Sequence, residues 1–193
     1  MSDSPIHQLF DSPDFVLITC TNSARVIQRY LNACREERRP YVFITDTMRE
    51  VDDIRRILVP VTMLEEEVYK SEICTYLARK TGAKIVLLKA NDYGSKAQTN
   101  LNKIITHIRS VAERTGEKIE FEVHEGIKDS FSLNREASER QRDFGHQLLL
   151  LTASREYGLD DWLFGPQERY AIRHSQVPVM LINPRADLFS LCD

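Results

Sequence analysis

From residue 14 onward, short runs of β-branched and aliphatic residues alternate with longer stretches whose apolar positions recur at helical spacing. That alternation predicts a parallel α/β sheet. Strands are expected over residues 15–20, 41–45, 57–61, 84–89, 120–124, 147–151 and 177–182. Several are apolar almost without interruption, Leu148–Leu151 above all, which predicts helices on both faces of the sheet. Over residues 96–114, Leu101, Ile104, Ile105, Ile108 and Val111 form one stripe, and Gly116 stands where the helix should stop. A second helix runs from about Glu65, turns Ile73, Cys74, Leu77 and Ala78 inward and stops at Gly82. A third spans 133–144, is charged along most of its length and stops at Gly145; its Arg135–Glu139 and Glu136–Arg140 pairs have the spacing of weak exposed ion pairs. The last helix opens at Gly165-Pro166, where proline suits the first turn, and ends before Val177-Pro178.

Composition narrows the class. The chain has 193 residues, 42% of them hydrophobic and 28% charged, with a net charge of −3. One domain of this length buries its own core without disulfides or metal, and an appendage can be added to it. The charge balance argues against a nucleic-acid-binding surface. No apolar run approaches the length of a bilayer span, and the first residues lack the pattern of a signal peptide. Cys20, Cys34, Cys74 and Cys192 show neither CxxC nor zinc spacing and read as reduced thiols. The expected setting is cytoplasmic, or the cytosolic face of a membrane if the chain belongs to a transporter.

The strongest motif is Gly165-Pro-Gln-Glu-Arg-Tyr-Ala-Ile-Arg-His-Ser-Gln-Val-Pro-Val-Met180: a glycine, a helix ending in Arg-His, then a Val-Pro-Val strand. With Arg56-Ile-Leu-Val-Pro-Val61, Leu77-Ala-Arg-Lys-Thr-Gly-Ala83 and His124-Glu-Gly126 in the same order, residues 54–184 resemble the universal stress protein family. The resemblance implies a Rossmann-like three-layer fold, a parallel sheet in the order 3-2-1-4-5, with residues 1–53 as an extra β-α-β unit and 185–193 as a tail.

Many members of that family bind ATP through G-x2-G-x9-G-[ST]. The corresponding positions here are Thr152, Arg155, Gly165 and Pro166, and only Gly165 fits. Thr152 and Arg155 put side chains where glycines let the backbone approach phosphate, and Pro166 offers neither a hydroxyl nor an N–H. Thr62 stands where ATP binders often carry aspartate. The resemblance with these departures implies no family-type ATP binding and no cofactor. Against this, Arg155, Arg169 and Arg173 lie in or just after the loop and are good phosphate ligands, so an altered nucleotide or anion pocket stays open as an alternative.

Other chemistry finds little support. His107, His124, His146 and His174 lack metal-ligand spacing; His107 reads as a half-exposed helix residue. Ser154 has no nucleophile elbow around it. Asp52-Asp53 and Asp160-Asp161 lie beside turns without a partner base, and Trp162 reads as a lid over the core. Cys20 precedes a helix start, where a dipole can lower a thiol pKa, but reads as an inert thiol; Cys74 reads as packing. No catalytic residue and no metal ligand is expected, and the chain is read as non-enzymatic.

Residues 1–53 contain no glycine, so Asp46 after the second strand does not complete a dinucleotide-binding turn. Instead, Gln28-Arg29-Tyr30 followed by Pro40-Tyr-Val-Phe-Ile44 echoes Gln167-Glu-Arg-Tyr170 followed by Val177-Pro-Val-Met-Leu-Ile182. This predicts the last helix and strand of a partial second repeat, with 41–45 antiparallel to 177–182. The resemblance further implies a homodimer or tandem contact through the last strand, at Val177, Val179 and Leu181. The expected function is a stress-response regulatory module acting by dimerisation or partner association. The alternative is the cytosolic regulatory domain of a membrane transporter, a cation/proton antiporter or similar, because a cut front half fits a chain taken from a longer protein.

Overall fold

The computed structural model describes residues 5–153 and 167–184. The elements are α1 (Pro5–Phe10), β1 (Val16–Cys20), α2 (Ala24–Ala33), β2 (Tyr41–Thr45), β3 (Arg56–Val61), a 3-10 turn (Glu65–Tyr69), α3 (Lys70–Thr81), β4 (Lys84–Lys89), α4 (Ser95–Arg114), β5 (Phe121–Glu125), α5 (Leu133–Glu139), α6 (Gln141–Phe144), β6 (Leu148–Thr152), α7 (Gln167–His174) and β7 (Val179–Ile182). The seven strands among the described residues lie in one sheet, in the order β1-β2-β7-β6-β3-β4-β5. From β5 to β7 every pairing is parallel, which is the expected 3-2-1-4-5 arrangement counted from β3.

The centre of the sheet is dry. Leu148 to Leu151, Ile57 to Val59 and Ile85 to Leu88 are all 0% exposed, as continuous apolar strands covered on both faces require. The stripe on α4 faces this core, with Leu101, Ile104, Ile105 and Ile108 buried and His107 half-buried. Gly82 and Gly145 end α3 and α6 at φ of 71° and 57°, the left-handed region where a side chain is costly.

The front piece joins the sheet as expected. β2 runs antiparallel to β7, with Tyr41 opposite Leu181, Val42 opposite Met180 and Phe43 opposite Val179. Val177, Val179 and Leu181 are buried, and the edge of β7 that the resemblance offers to a partner is filled by β2 of the same chain. Asn183 ties the seam at one end. Its Nδ2 donates to the carbonyls of Cys34 (2.6 Å) and Glu37 (2.9 Å), and its Oδ1 accepts from the Tyr41 hydroxyl (3.0 Å). At the other end Arg49 donates from its backbone to the Gln176 carbonyl and from Nη2 to Gln176 Oε1. Because β2 opposes β7, the carboxyl ends of β1 and β2 lie at the amino edge of the five-stranded part.

Three features differ from expectation. A short helix, α1, precedes β1 and seats Ile6 and Phe10 in the core. The helix expected over 133–144 breaks at Arg140 (φ −98°, ψ 30°). Arg140 is held from both sides, by Glu136 at 2.5 Å and Asp143 at 2.7 Å. Glu136 is only 5% exposed, so this pair is not the exposed one its spacing suggested; Arg135–Glu139 is exposed, at 3.6 Å.

Burial of His146 sets a pH dependence. The ring is 0% exposed, neither nitrogen has a hydrogen-bond partner among the described residues, and burial, with the Arg56 cation adding to it, pushes its pKa down to about 3. An unfolded chain protonates this histidine near its ordinary value of 6.5, while the folded chain resists until about pH 3. The stabilisation is therefore complete above pH 6.5 and is lost as pH falls, at up to about 1.4 kcal/mol per pH unit. The lowered carboxylates Glu37, Glu122 and Glu136 act only below their ordinary 4.5. Urea midpoints measured between pH 7 and 5 should fall with acid, and His146→Met should flatten that limb.

Candidate functional site

In an open parallel sheet ligands sit beyond the carboxyl ends of the strands, where the strand order reverses. Here that point lies between β3 and β6. The two strands are in register only at Ile57–Leu148 and Leu58–Leu149. Residues 56, 58 and 60 present their backbone groups toward β6, and Pro60 has no N–H to give, so the ladder stops and a crevice opens. The Pro60 carbonyl is taken by the ammonium of Lys70, at 2.6 Å. Lys70 is 0% exposed and forms an ion pair at 2.5 Å with Glu67, also buried. The 3-10 turn makes this pairing local, because it places residues three apart one above the other.

Thr62 lies at the mouth of the crevice, immediately after β3. It is 3% exposed, and its Oγ1 accepts from the Leu64 amide at 3.4 Å, within its own loop. Next to it, Met63 donates its N–H to Ser130 Oγ at 2.8 Å, and Ser130 bonds both Asp92 carboxylate oxygens, through its amide (3.0 Å) and through its hydroxyl. The loops after β3, β4 and β5 are thereby locked together. Thr152, at the end of β6, is half-buried, with Oγ1 inside and without a hydrogen-bond partner among the described residues.

The loop after β5 is organised around a carboxylate. Burial raises the Glu136 pKa, but the amides of Ile127 and Lys128 and the Arg140 guanidinium outweigh it and hold the carboxyl below its ordinary value. Gly126 is required by space: a Cβ there would stand 2.8 Å from Leu133 Cδ1 and 3.0 Å from the Lys89 carbonyl. Large apolar side chains rim this edge, with Leu64 53%, Ile127 70%, Phe131 69% and Tyr93 92% exposed.

Two of the expected anion contacts, Arg169 and Arg173, lie on α7. Arg169 donates from Nη1 to Gln28 Oε1 at 3.2 Å, directed at α2. Arg173 is exposed six residues after the first residue of α7, about 9 Å along its axis and toward the amino edge of the sheet. Its carbonyl accepts from Asn22 Nδ2 at 3.0 Å. Arg155, Gly165 and Pro166 lie outside the described residues, as do Ser154, Asp160, Asp161, Trp162 and Cys192.

The remaining candidates resolve into packing. Burial and the Asp46 carboxylate push the Cys20 thiol up, the reverse of activation by a helix dipole. Burial pushes Cys74 up to about 12. Asp46 Oδ1 accepts the Asn22 amide at 2.8 Å and so braces the turn between β1 and α2. Among the described residues no three His, Cys, Asp or Glu groups are placed to hold a metal ion, and no helix is long and apolar enough to cross a membrane. Lys70 was invisible to motif reasoning: a lysine at a helix start reads as exposed until the strand it reaches is known.

Comparison with known proteins places the architecture. No protein-family model matches the chain, and no curated protein matches it in sequence. The fold is that of the universal stress proteins. A universal stress protein from Archaeoglobus fulgidus DSM 4304 superposes with a TM-score of 0.66 at 14% identity, over 94% of this chain and 65% of that one. A putative universal stress protein from Pseudomonas aeruginosa UCBPP-PA14 gives 0.57 at 11% identity, over 92% and 66%. A universal stress protein in complex with cAMP gives 0.51 at 14% identity, over 69% of this chain and 99% of that one. The chain thus spans about two thirds of the length of the first two.

Proposed function

We propose that this chain is a non-enzymatic regulatory module of universal stress protein type that does not bind ATP in the family manner and acts by associating with a partner. The observation that carries the reading is Thr62. Where a nucleotide-binding crevice needs an outward polar group, this side chain is buried and bonded within its own loop. The sequence adds Thr152, Arg155 and Pro166 at positions where the family's phosphate loop has small or donating residues.

The front piece supports association. The β2–β7 register is symmetric: Tyr41 and Val179 follow Pro40 and Pro178, and each pairs with the residue two positions beyond the other. β1 pairs with β2 as β6 pairs with β7, down to matching Val16-to-Pro40 and Leu149-to-Pro178 backbone bonds, both 3.0 Å. This symmetry supports reading the β1-α2-β2 unit as a stand-in for a partner's closing strand–helix–strand. The shorter solved relative spans 69% of this chain and the longer ones over 90%, which fits a division into residues 1–53 and 54–184.

A second reading has one observation in its favour: a protein of this fold is solved with cAMP. Calorimetric titration of the purified protein with ATP, ADP, AMP and cAMP separates the two. The expected result is no binding at micromolar concentration. Micromolar affinity for any of them replaces the first reading with an altered nucleotide site.

A further inference from the structure

The sheet has two edges, and they are built differently. β5, at one end, carries Glu122, His124 and Glu125, with Glu122 bonded to Arg56 and Lys84 and Glu125 paired with Lys89. Charged side chains of this kind are how an edge strand resists pairing with another chain. β1, at the other end, reads Val-Leu-Ile-Thr-Cys. It has no charge, no proline and no bulge, and only Ile18 of its five residues is buried. Such an edge is a template for a further strand.

The parallel register fixes which groups are on offer. Val16 donates to Pro40, and the Cys20 carbonyl accepts from Asp46, so residues 16, 18 and 20 present their backbone groups to β2. The N–H and C=O groups of Leu17 and Thr19 point the other way and have no bond within the described residues. At the matching place in the pseudo-symmetric half, β6 is paired on its far side by β3.

We propose that the free edge of β1 is the surface through which two copies of this chain associate, their β1 strands pairing antiparallel about a two-fold axis at Ile18. Since residues 17 and 19 are the outward ones, that axis sets Leu17 opposite Thr19 of the second copy twice over, and each such pair exchanges two hydrogen bonds. Val16 then faces Cys20, Asp14 faces Asn22, and no like charges meet. A self-complementary patch of this kind closes on a two-fold and stops, as most homodimers do. The proposal rests on the association reading and names its surface.

Light scattering coupled to gel filtration, from low micromolar to near-millimolar protein, tests it with Thr19→Pro. Thr19 is exposed and its N–H points outward, so proline removes an edge donor and leaves the β1–β2 ladder whole. The wild-type chain is expected to be a dimer and Thr19→Pro a monomer with unchanged circular dichroism. Thr19→Lys, which keeps the N–H and adds an edge charge, should also give the monomer, and it serves if the proline variant does not fold. A dimer that survives both substitutions overturns the β1 surface while leaving association intact. A wild-type monomer throughout overturns both this surface and self-association.

Discussion

Lys70→Met is expected to cost about 3–5 kcal/mol of folding stability, the penalty for leaving a buried carboxylate without its cation. Lys70 and Glu67 are buried side chains 2.5 Å apart, only 1% and 5% exposed. The substitution also strips the Pro60 carbonyl of its donor, at the one point where β3 and β6 separate. The double variant Glu67→Met/Lys70→Met should recover most of the loss, because two apolar side chains need no partner there. Urea unfolding of the four proteins measures the coupling directly. Additive single and double losses would mean that the pair contributes nothing as a pair. A recovered double variant would show that this ion pair fixes the geometry of the crevice more than it stabilises the fold.

Phe43→Ala should also cost about 3–5 kcal/mol, as truncation of a buried aromatic ring usually does. Phe43 is 0% exposed and pairs with Val179 across the seam between the front piece and the rest. Its ring stands 6.2 Å from that of Tyr41, edge to face, so the loss includes an aromatic contact as well as area. The seam is a continuous hydrogen-bonded ladder inside one hydrophobic core. Residues 5–53 should therefore not melt separately. Urea unfolding followed by circular dichroism and by amide exchange should give one coincident transition for both wild type and variant. If Phe43→Ala split the curve, with β1 and β2 exchanging first, the front piece would be a docked appendage rather than part of the core.

The strands were legible because a parallel sheet needs apolar residues on both faces, and the runs at 57–61, 84–89 and 147–151 have no other use. The antiparallel seam was legible from the echo of Pro40-Tyr-Val-Phe-Ile in Pro178-Val-Met-Leu-Ile, since similar strands ending similar helices can pair about a two-fold. The break at Arg140 was not legible. Residues 133–144 carry one helical pattern, and only the placement of Glu136 under the Ile127 and Lys128 amides draws Arg140 out of it.

The site divides along the same line. Sequence alone set the expectation that Thr152, Arg155 and Pro166 stand where an ATP binder of the resembled family has small or donating groups, because those requirements are local and chemical. It also determined the class of fold, because periodicity and helix stops are local. Tertiary structure alone decided where side chains with no motif end up. It buried Lys70 against Pro60, turned Thr62 into its own loop, and carried Arg173 to the far edge of the sheet. Each of those outcomes depends on which strand lies beside which and on the direction of the helix between them. Such long-range pairings are set by the packing of the whole core, and no short window of residues contains them.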